Sequence, residues 1–300
     1  MKLEKTVFRG SGTALVTPLC RGGIDFPALG ELIDWQIASG TDALIVAGTT
    51  GEAPTLTEAE KMALIKYTVE KTAGRVPVIA GTGSNNTQYA VKLSKYAEEA
   101  GADGLLVITP YYNKTSQAGI VAHFSAIADA TDLPLIIYHI PSRTGVKLSV
   151  STFETLSHHP RIVGVKEASS DIGFLMELFA ACGDTLSVYA GNDDQIYPIL
   201  ALGGDGVISV VSNILPQLTH QLCQSYFDGN TEMSRATQFS LMPMIRTLFS
   251  EVNPIPVKEA LYQMDLIRRE YRLPLFPLDA GGANRVRAML RRFRLLLEHP

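Results

Sequence analysis

Lys166 closes a short apolar run, Ile162-Val163-Gly164-Val165, and is followed by Glu167-Ala168-Ser169-Ser170. An amine held in apolar surroundings loses solvation of its charged form, so its pKa falls and the free base becomes a nucleophile. The plainer account is a lysine that marks where a strand leaves for solvent, as most lysines do. A second run, Leu133-Pro134-Leu135-Ile136-Ile137, ends on Tyr138 and leads into His139-Ile140-Pro141-Ser142-Arg143-Thr144-Gly145. A tyrosine hydroxyl near such a lysine can relay protons, and a guanidinium can grip a carboxylate through two parallel hydrogen bonds. Read singly, each is equally an amphipathic rim residue and an arginine in a surface turn. A third run leads into Gly48-Thr49-Thr50-Gly51-Glu52, where small residues let backbone N–H groups approach an anion and threonine hydroxyls can donate.

Other segments carry less. Gly81-Thr82-Gly83-Ser84-Asn85-Asn86-Thr87 has the look of a phosphate cradle but neither the GxGxxG pattern nor a P-loop lysine, and reads better as a turn and helix N-cap. His123, His139, His158, His159, His220 and His299 show no metal-ligand spacing, and no HExxH, GxSxG or Cys/His cluster is present. A metal-dependent reaction is therefore disfavoured, and no cofactor is expected.

The elements that must position these residues recur as short runs rich in β-branched side chains: Thr13–Thr17, Ala43–Ala47, Pro77–Ala80, Gly104–Ile108, Leu133–Tyr138, Ile162–Lys166, Leu186–Ala190 and Gly206–Val210. Continuous rather than alternating apolarity is the mark of strands covered on both faces, as in parallel sheets. Helical spacing lies between most of them; Ala90, Leu93, Ala97 and Ala100, for example, share one stripe. Gly40-Thr41-Asp42, Gly101-Ala102-Asp103 and Gly203-Gly204-Asp205 each stand between a helix and a strand, where glycine can take the left-handed conformation that ends a helix. The pattern predicts an α/β chain, first as a (β/α)₈ TIM barrel and second as a doubly wound open sheet. In a barrel, Lys166, Tyr138 and the Thr49-Thr50 turn would share the mouth at the strands' C-terminal ends. Residues 1–225 are expected to form the barrel and 226–300 a helical extension, divided by Pro243, by Asn253-Pro254-Ile255-Pro256, and by Pro274 and Pro277. The last helix carries Arg285, Arg287, Arg291, Arg292 and Arg294 around a stripe of Val286, Met289, Leu290, Phe293 and Leu297, which reads as a solvated face rather than a nucleic-acid arm.

Composition sets the outer limits. With 46% hydrophobic residues in 300, the chain can bury one large core, and a net charge of −4 generates no field that recruits nucleic acid. The cysteines, Cys20, Cys182 and Cys223, share no short spacing and cannot all pair, which points to a reducing compartment. The apolar run after Met1–Lys5 is too short for a secretory signal, and no run approaches a membrane span, so a cytoplasmic location is expected.

Six segments in order resemble the dihydrodipicolinate synthase / N-acetylneuraminate lyase family over nearly the whole chain. They are Gly48–Glu52, Val107-Ile108-Thr109-Pro110-Tyr111-Tyr112-Asn113, Tyr138 with Pro141–Gly145, Gly164–Ala168, Gly206–Val210 and Asn253-Pro254-Ile255-Pro256-Val257-Lys258. The resemblance implies a class I lyase that condenses pyruvate, as a Schiff base on Lys166, with L-aspartate 4-semialdehyde to give 4-hydroxy-tetrahydrodipicolinate in diaminopimelate and lysine biosynthesis. It implies a proton relay of Tyr138, Thr50 and, from a neighbouring subunit, Tyr112. It implies further that Thr49 and Thr50 hold the pyruvate carboxylate, that Arg143 holds the aldehyde's carboxylate, and that Gly191 and Ile208 line the pocket. A homotetramer built as a dimer of dimers is implied as well, with small-molecule substrates and neither nucleic acid nor membrane as partner. The alternatives are a sister aldolase for sialic acid or a 2-keto-3-deoxy sugar acid, and a non-catalytic barrel; an arginine at position 143 suits a small acidic aldehyde better than a polyol. The chain departs from the family's pattern in two places. His139 stands where many members carry asparagine. Lys61 and Tyr89 occupy positions where lysine-inhibited members carry histidine and glutamate, so insensitivity to lysine is expected.

Overall fold

The computed structural model describes residues 6–296, so the Met1–Lys5 segment, Leu297 and His299 lie outside the described residues. Eight parallel strands close into a barrel: β1 Gly10–Ala14, β2 Ala43–Val46, β3 Val78–Gly81, β4 Gly104–Ile108, β5 Leu135–His139, β6 Ile162–Glu167, β7 Ser187–Ala190 and β8 Gly206–Ser209. Each pairs with its sequence neighbours, and β1 closes the ring by pairing with both β2 and β8. The open-sheet alternative is excluded by that closure. A short hairpin, Leu19–Cys20 with Gly23–Ile24, follows β1.

Seven strands fall within two residues of expectation, and the first does not. It starts at Gly10 rather than Thr13, with Gly10 opposite Gly206 and Gly12 opposite Ala43. The glycine-rich Gly10-Ser11-Gly12 has little strand propensity, but a Cβ on Gly12 would stand 2.7 Å from Phe8 and Ile45. The strand therefore forms because neighbouring backbones need the space and supply the hydrogen bonds, and side-chain propensity is overridden.

Side chains alternate between two cores. Ile45, Ile79, Leu106, Ile136, Tyr138, Val163, Tyr189 and Ile208 fill the lumen, while Leu44, Val46, Val78, Leu105, Val107, Ile137 and Val165 pack under the surrounding helices. At the N-terminal end Phe8 stacks on Tyr189 at 4.4 Å and accepts its hydroxyl proton on the Phe8 carbonyl at 2.6 Å, which plugs the barrel. The recurrent glycines do end helices, with φ of 89° at Gly40, 85° at Gly101 and 98° at Gly203. The aspartate two residues on has its own purpose. Asp42 accepts the Ser11 N–H at 2.7 Å and Asp103 the Val78 N–H at 2.8 Å, so each ties its strand to the preceding one.

The helix Pro216–Phe227 runs through the expected 225/226 boundary, and the helices Thr231–Leu248, Ile255–Gln263 and Ala280–Arg292 follow. Pro243, expected to divide two helices, lies inside Thr231–Leu248. Proline there removes the hydrogen bond to the Phe239 carbonyl, but Phe239 is on the exposed face, while Leu241, Met244, Ile245 and Leu248 hold the helix by burial. In the last helix Val286 and Leu290 are buried and its arginines are exposed. Among the described residues no helix is long and apolar enough to cross a membrane.

Candidate active site

Lys166 and Tyr138 stand on adjacent strands in direct register, at the C-terminal mouth of the barrel. The Lys166 ammonium nitrogen lies 4.3 Å from the centre of the Tyr138 ring, and both residues are buried. Burial pulls the Lys166 pKa down to about 8; the Arg143 charge adds to the fall, and the Asp193 carboxylate opposes it. Burial raises the Tyr138 pKa, against the opposing pull of Arg143 and of a hydrogen bond with the Thr49 side chain.

The Thr49-Thr50 turn owes its shape to its flanks. Ala47 and Glu52 adopt left-handed φ of 53° and 56°, and the Glu52 and Ala53 N–H groups return to the carbonyls of Thr49 and Gly48. Glycine at position 81 lets the turn pass, because a Cβ there would sit 2.3 Å from the Ala47 carbonyl oxygen. Glu52 is fully buried and pairs with the equally buried Lys258, so the C-terminal helices anchor the turn from below.

The two threonines part company. Thr49 lines an open cleft together with Gly48, Lys61, Tyr111 and Tyr138. Thr50 is buried, and its hydroxyl oxygen accepts a hydrogen bond from the Asn253 side-chain amide at 3.0 Å. Of the two, Thr49 is the one whose side chain shares a hydrogen bond with Tyr138. Successive side chains of a tight turn leave it in different directions, which residue type alone cannot reveal.

Arg143 is exposed on the short helix Pro141–Thr144, which Gly145 closes with φ of 67°. Its guanidinium donates to the Asn253 carbonyl at 3.2 Å. Gly191 follows β7, where a Cβ would meet Ala168 at 2.7 Å and the Glu167 carbonyl oxygen at 2.8 Å, so only glycine fits. Ile208 is buried in the same luminal cluster as Tyr138. Tyr112 stands apart from the others, with its side chain 91% exposed and φ at 69°.

His139, which departs from the family's pattern, is held in one tautomer. Its Nε2 accepts the Leu148 N–H at 3.2 Å, so Nδ1 carries the proton and donates to Glu167 at 2.6 Å. Glu167 in turn accepts the Ser169 N–H at 2.6 Å. The pair is fully buried and locks the chain on either side of Tyr138 and Lys166. Lys61 donates to the Tyr89 hydroxyl at 3.4 Å, and burial lowers its pKa.

Two residues acquire a place at the site only in the structure. Asp193 is buried and faces Lys166 electrostatically; one of its oxygens accepts the Val210 and Val211 N–H groups at 3.1 and 2.8 Å, and burial raises its pKa. The run Asn192-Asp193-Asp194 after a strand end was the available signal. Asn253 sits 110 residues from Arg143 and 203 from Thr50, so only folding could associate them.

The family model described as the dihydrodipicolinate synthetase family matches residues 7–293. A 4-hydroxy-tetrahydrodipicolinate synthase of Thermoanaerobacter sp. (strain X514) is 51% identical over 293 residues, covering 97% of this chain and 99% of that protein. The crystal structure of dihydrodipicolinate synthase from Aquifex aeolicus superposes with a TM-score of 0.95 at 42% identity, covering 97% of this chain and all of that one. The enzyme from Acinetobacter baumannii, complexed with pyruvate, gives 0.94 at 40% identity, with coverage of 97% and 100%. The enzyme from Cyanidioschyzon merolae, with lysine bound, gives 0.93 at 38% identity, with coverage of 97% and 100%.

Proposed function

The chain belongs to the dihydrodipicolinate synthetase family, and on that premise we propose that it condenses pyruvate, as an imine on Lys166, with L-aspartate 4-semialdehyde to give 4-hydroxy-tetrahydrodipicolinate in lysine biosynthesis. The observation that carries the reading is a buried lysine amine of pKa about 8 beside a buried tyrosine at the barrel mouth.

The free amine attacks the pyruvate carbonyl carbon, and loss of water leaves the imine. That imine is a better electron sink than the ketone, so the methyl group gives up a proton and an enamine forms. The enamine carbon attacks the aldehyde carbon, whose oxygen takes a proton. The substrate's own amine then adds to the imine carbon, closing the ring and expelling the Lys166 amine. Each proton needs a positioned hydroxyl, a contribution of typically 10²–10⁴-fold. Tyr138 with Thr49 fills that role here, and Thr50 moves from the relay to the pyruvate carboxylate. Tyr112 reaches the relay from a neighbouring chain of a homotetramer, which accounts for so exposed a tyrosine. Gly191 and Ile208 shape the pocket wall. Arg143 takes the aldehyde's carboxylate, which favours this reaction over a sugar-acid aldolase. Three unpaired cysteines support the cytoplasm as compartment, testable by cell fractionation.

The test supplies both substrates and couples product to NADPH-dependent dihydrodipicolinate reductase. A robust loss of NADPH absorbance is expected, with KM for the aldehyde rising about 10–100-fold in Arg143→Ala, as loss of a charge-assisted contact implies. Borohydride with pyruvate alone should add mass at Lys166. Trapping without turnover would move the assignment to a sister aldolase, and no trapping would leave a non-catalytic barrel. Light scattering should return four copies of the 32.5 kDa chain; a single copy would remove Tyr112 from the relay.

A further inference from the structure

Asn253 touches both carboxylate-binding groups at once. Its side-chain amide donates to the Thr50 hydroxyl at 3.0 Å, and its backbone carbonyl accepts from the Arg143 guanidinium at 3.2 Å. The residue is buried, and its amide oxygen has no hydrogen-bond partner among the described residues. An amide nitrogen donates but does not accept, so one lone pair of the Thr50 oxygen is engaged and the Thr50 proton must be offered elsewhere. A hydroxyl held in this way has its proton turned away from the amide and free to donate, which suits a group that only accepts, such as an ionised carboxylate. On the other side, one N–H of Arg143 is spent on the Asn253 carbonyl, which fixes the guanidinium plane and leaves its remaining donors for a second carboxylate.

The segment is held firmly enough to do this. Five residues on, Lys258 enters the buried pair with Glu52, two residues after Thr50, and also donates to the Glu270 carbonyl at 2.8 Å. The two ends of the contact, 50–52 and 253–258, are thus clamped side by side.

The geometry points to Asn253 as the positioning residue that turns the Thr50 proton toward the pyruvate carboxylate and, through its backbone, orients Arg143 for the carboxylate of the second substrate. It rests on the assignment of Lys166 as the pyruvate-binding amine and deepens it. Asn253 touches no reacting atom; it acts through Thr50 by its side chain and through Arg143 by its main chain. That division makes the role separable from mere support, because substitution removes the first contact and keeps the second.

The experiment measures borohydride trapping of pyruvate at Lys166 by intact mass, as a function of pyruvate concentration, in the wild-type chain, Asn253→Ala, Asn253→Asp, Thr50→Val and the Thr50→Val/Asn253→Ala double variant. The aldehyde KM is measured in parallel by the coupled assay. Asn253→Ala should raise the half-saturating pyruvate concentration about tenfold, as loss of one oriented hydrogen bond to a charged group implies. Asn253→Asp, of the same size, should raise it further, since the new carboxylate accepts the Thr50 proton and repels the substrate. In the double variant the effect should not exceed that of Thr50→Val alone, because the amide has nothing left to orient. The aldehyde KM in Asn253→Ala should stay within about twofold. Unchanged pyruvate dependence in Asn253→Ala, or multiplying effects in the double variant, would overturn the inference. So would a parallel rise in both constants with a lowered Tm in both Asn253 variants. Failure of the wild-type chain to trap pyruvate would strike instead at the Lys166 assignment beneath it.

Discussion

At pH 7 an ordinary lysine of pKa about 10.4 is free amine in roughly one molecule in 2,500, whereas one of pKa about 8 is free in about one in ten. Burial among the luminal side chains moves Lys166 across that range, because a low-dielectric site penalises the ammonium and not the amine. Asp193 limits the fall, and Arg143 deepens it. The folded-state pKa lies below the unfolded one, so the free base accumulates as pH rises through about 8. The initial rate of pyruvate-dependent borohydride trapping should therefore climb about tenfold per pH unit below that value and level off above it. A rate still climbing at pH 10 would mean an ordinary, solvated lysine. Lys166 and Tyr138 were legible because each ends an apolar run, and a barrel gathers strand ends at one mouth. Which of Thr49 and Thr50 faces Tyr138 was not, since a turn's φ and ψ decide it.

Strands and turns here are set by how closely backbones approach. At Gly206, φ is 146° and a Cβ would stand 1.9 Å from the Gly10 carbonyl oxygen, at the seam where the last strand meets the first. Gly206→Ala should lower the unfolding free energy by about 3 kcal/mol or more, since backbone must move to admit the methyl group. Gly229→Ala, at φ of 84° with nothing within 4 Å, should cost only the left-handed conformation, about 1–2 kcal/mol. Denaturant unfolding compares the two, and equal losses would show that the seam tolerates a side chain. Element identity followed from apolar runs with turn glycines. Boundaries failed at Gly10 and at Pro243, where packing outweighed local propensity.

Across the whole molecule, the cleft that passes Thr49 and Tyr138 extends to Lys61, which donates to Tyr89. A cation at that position repels the ammonium groups of free lysine, and a tyrosine hydroxyl offers no compensating charge. Turnover should therefore be unaffected by lysine, and half-inhibition below about 1 mM, a binding free energy near −4 kcal/mol, would overturn that expectation. The order of strands and helices, and the placing of Lys166 and Tyr138 at strand ends with Arg143 in the turn beyond, were determined by the sequence itself, because periodicity and residue type act over a few neighbours along the chain. Only the tertiary structure decided that Asn253 meets Thr50 and Arg143, that Lys258 neutralises Glu52 beneath the turn, and that Asp193 faces Lys166. Those contacts join residues up to 206 positions apart, and hydrogen bonds and buried charges depend on distance in space, which barrel closure creates.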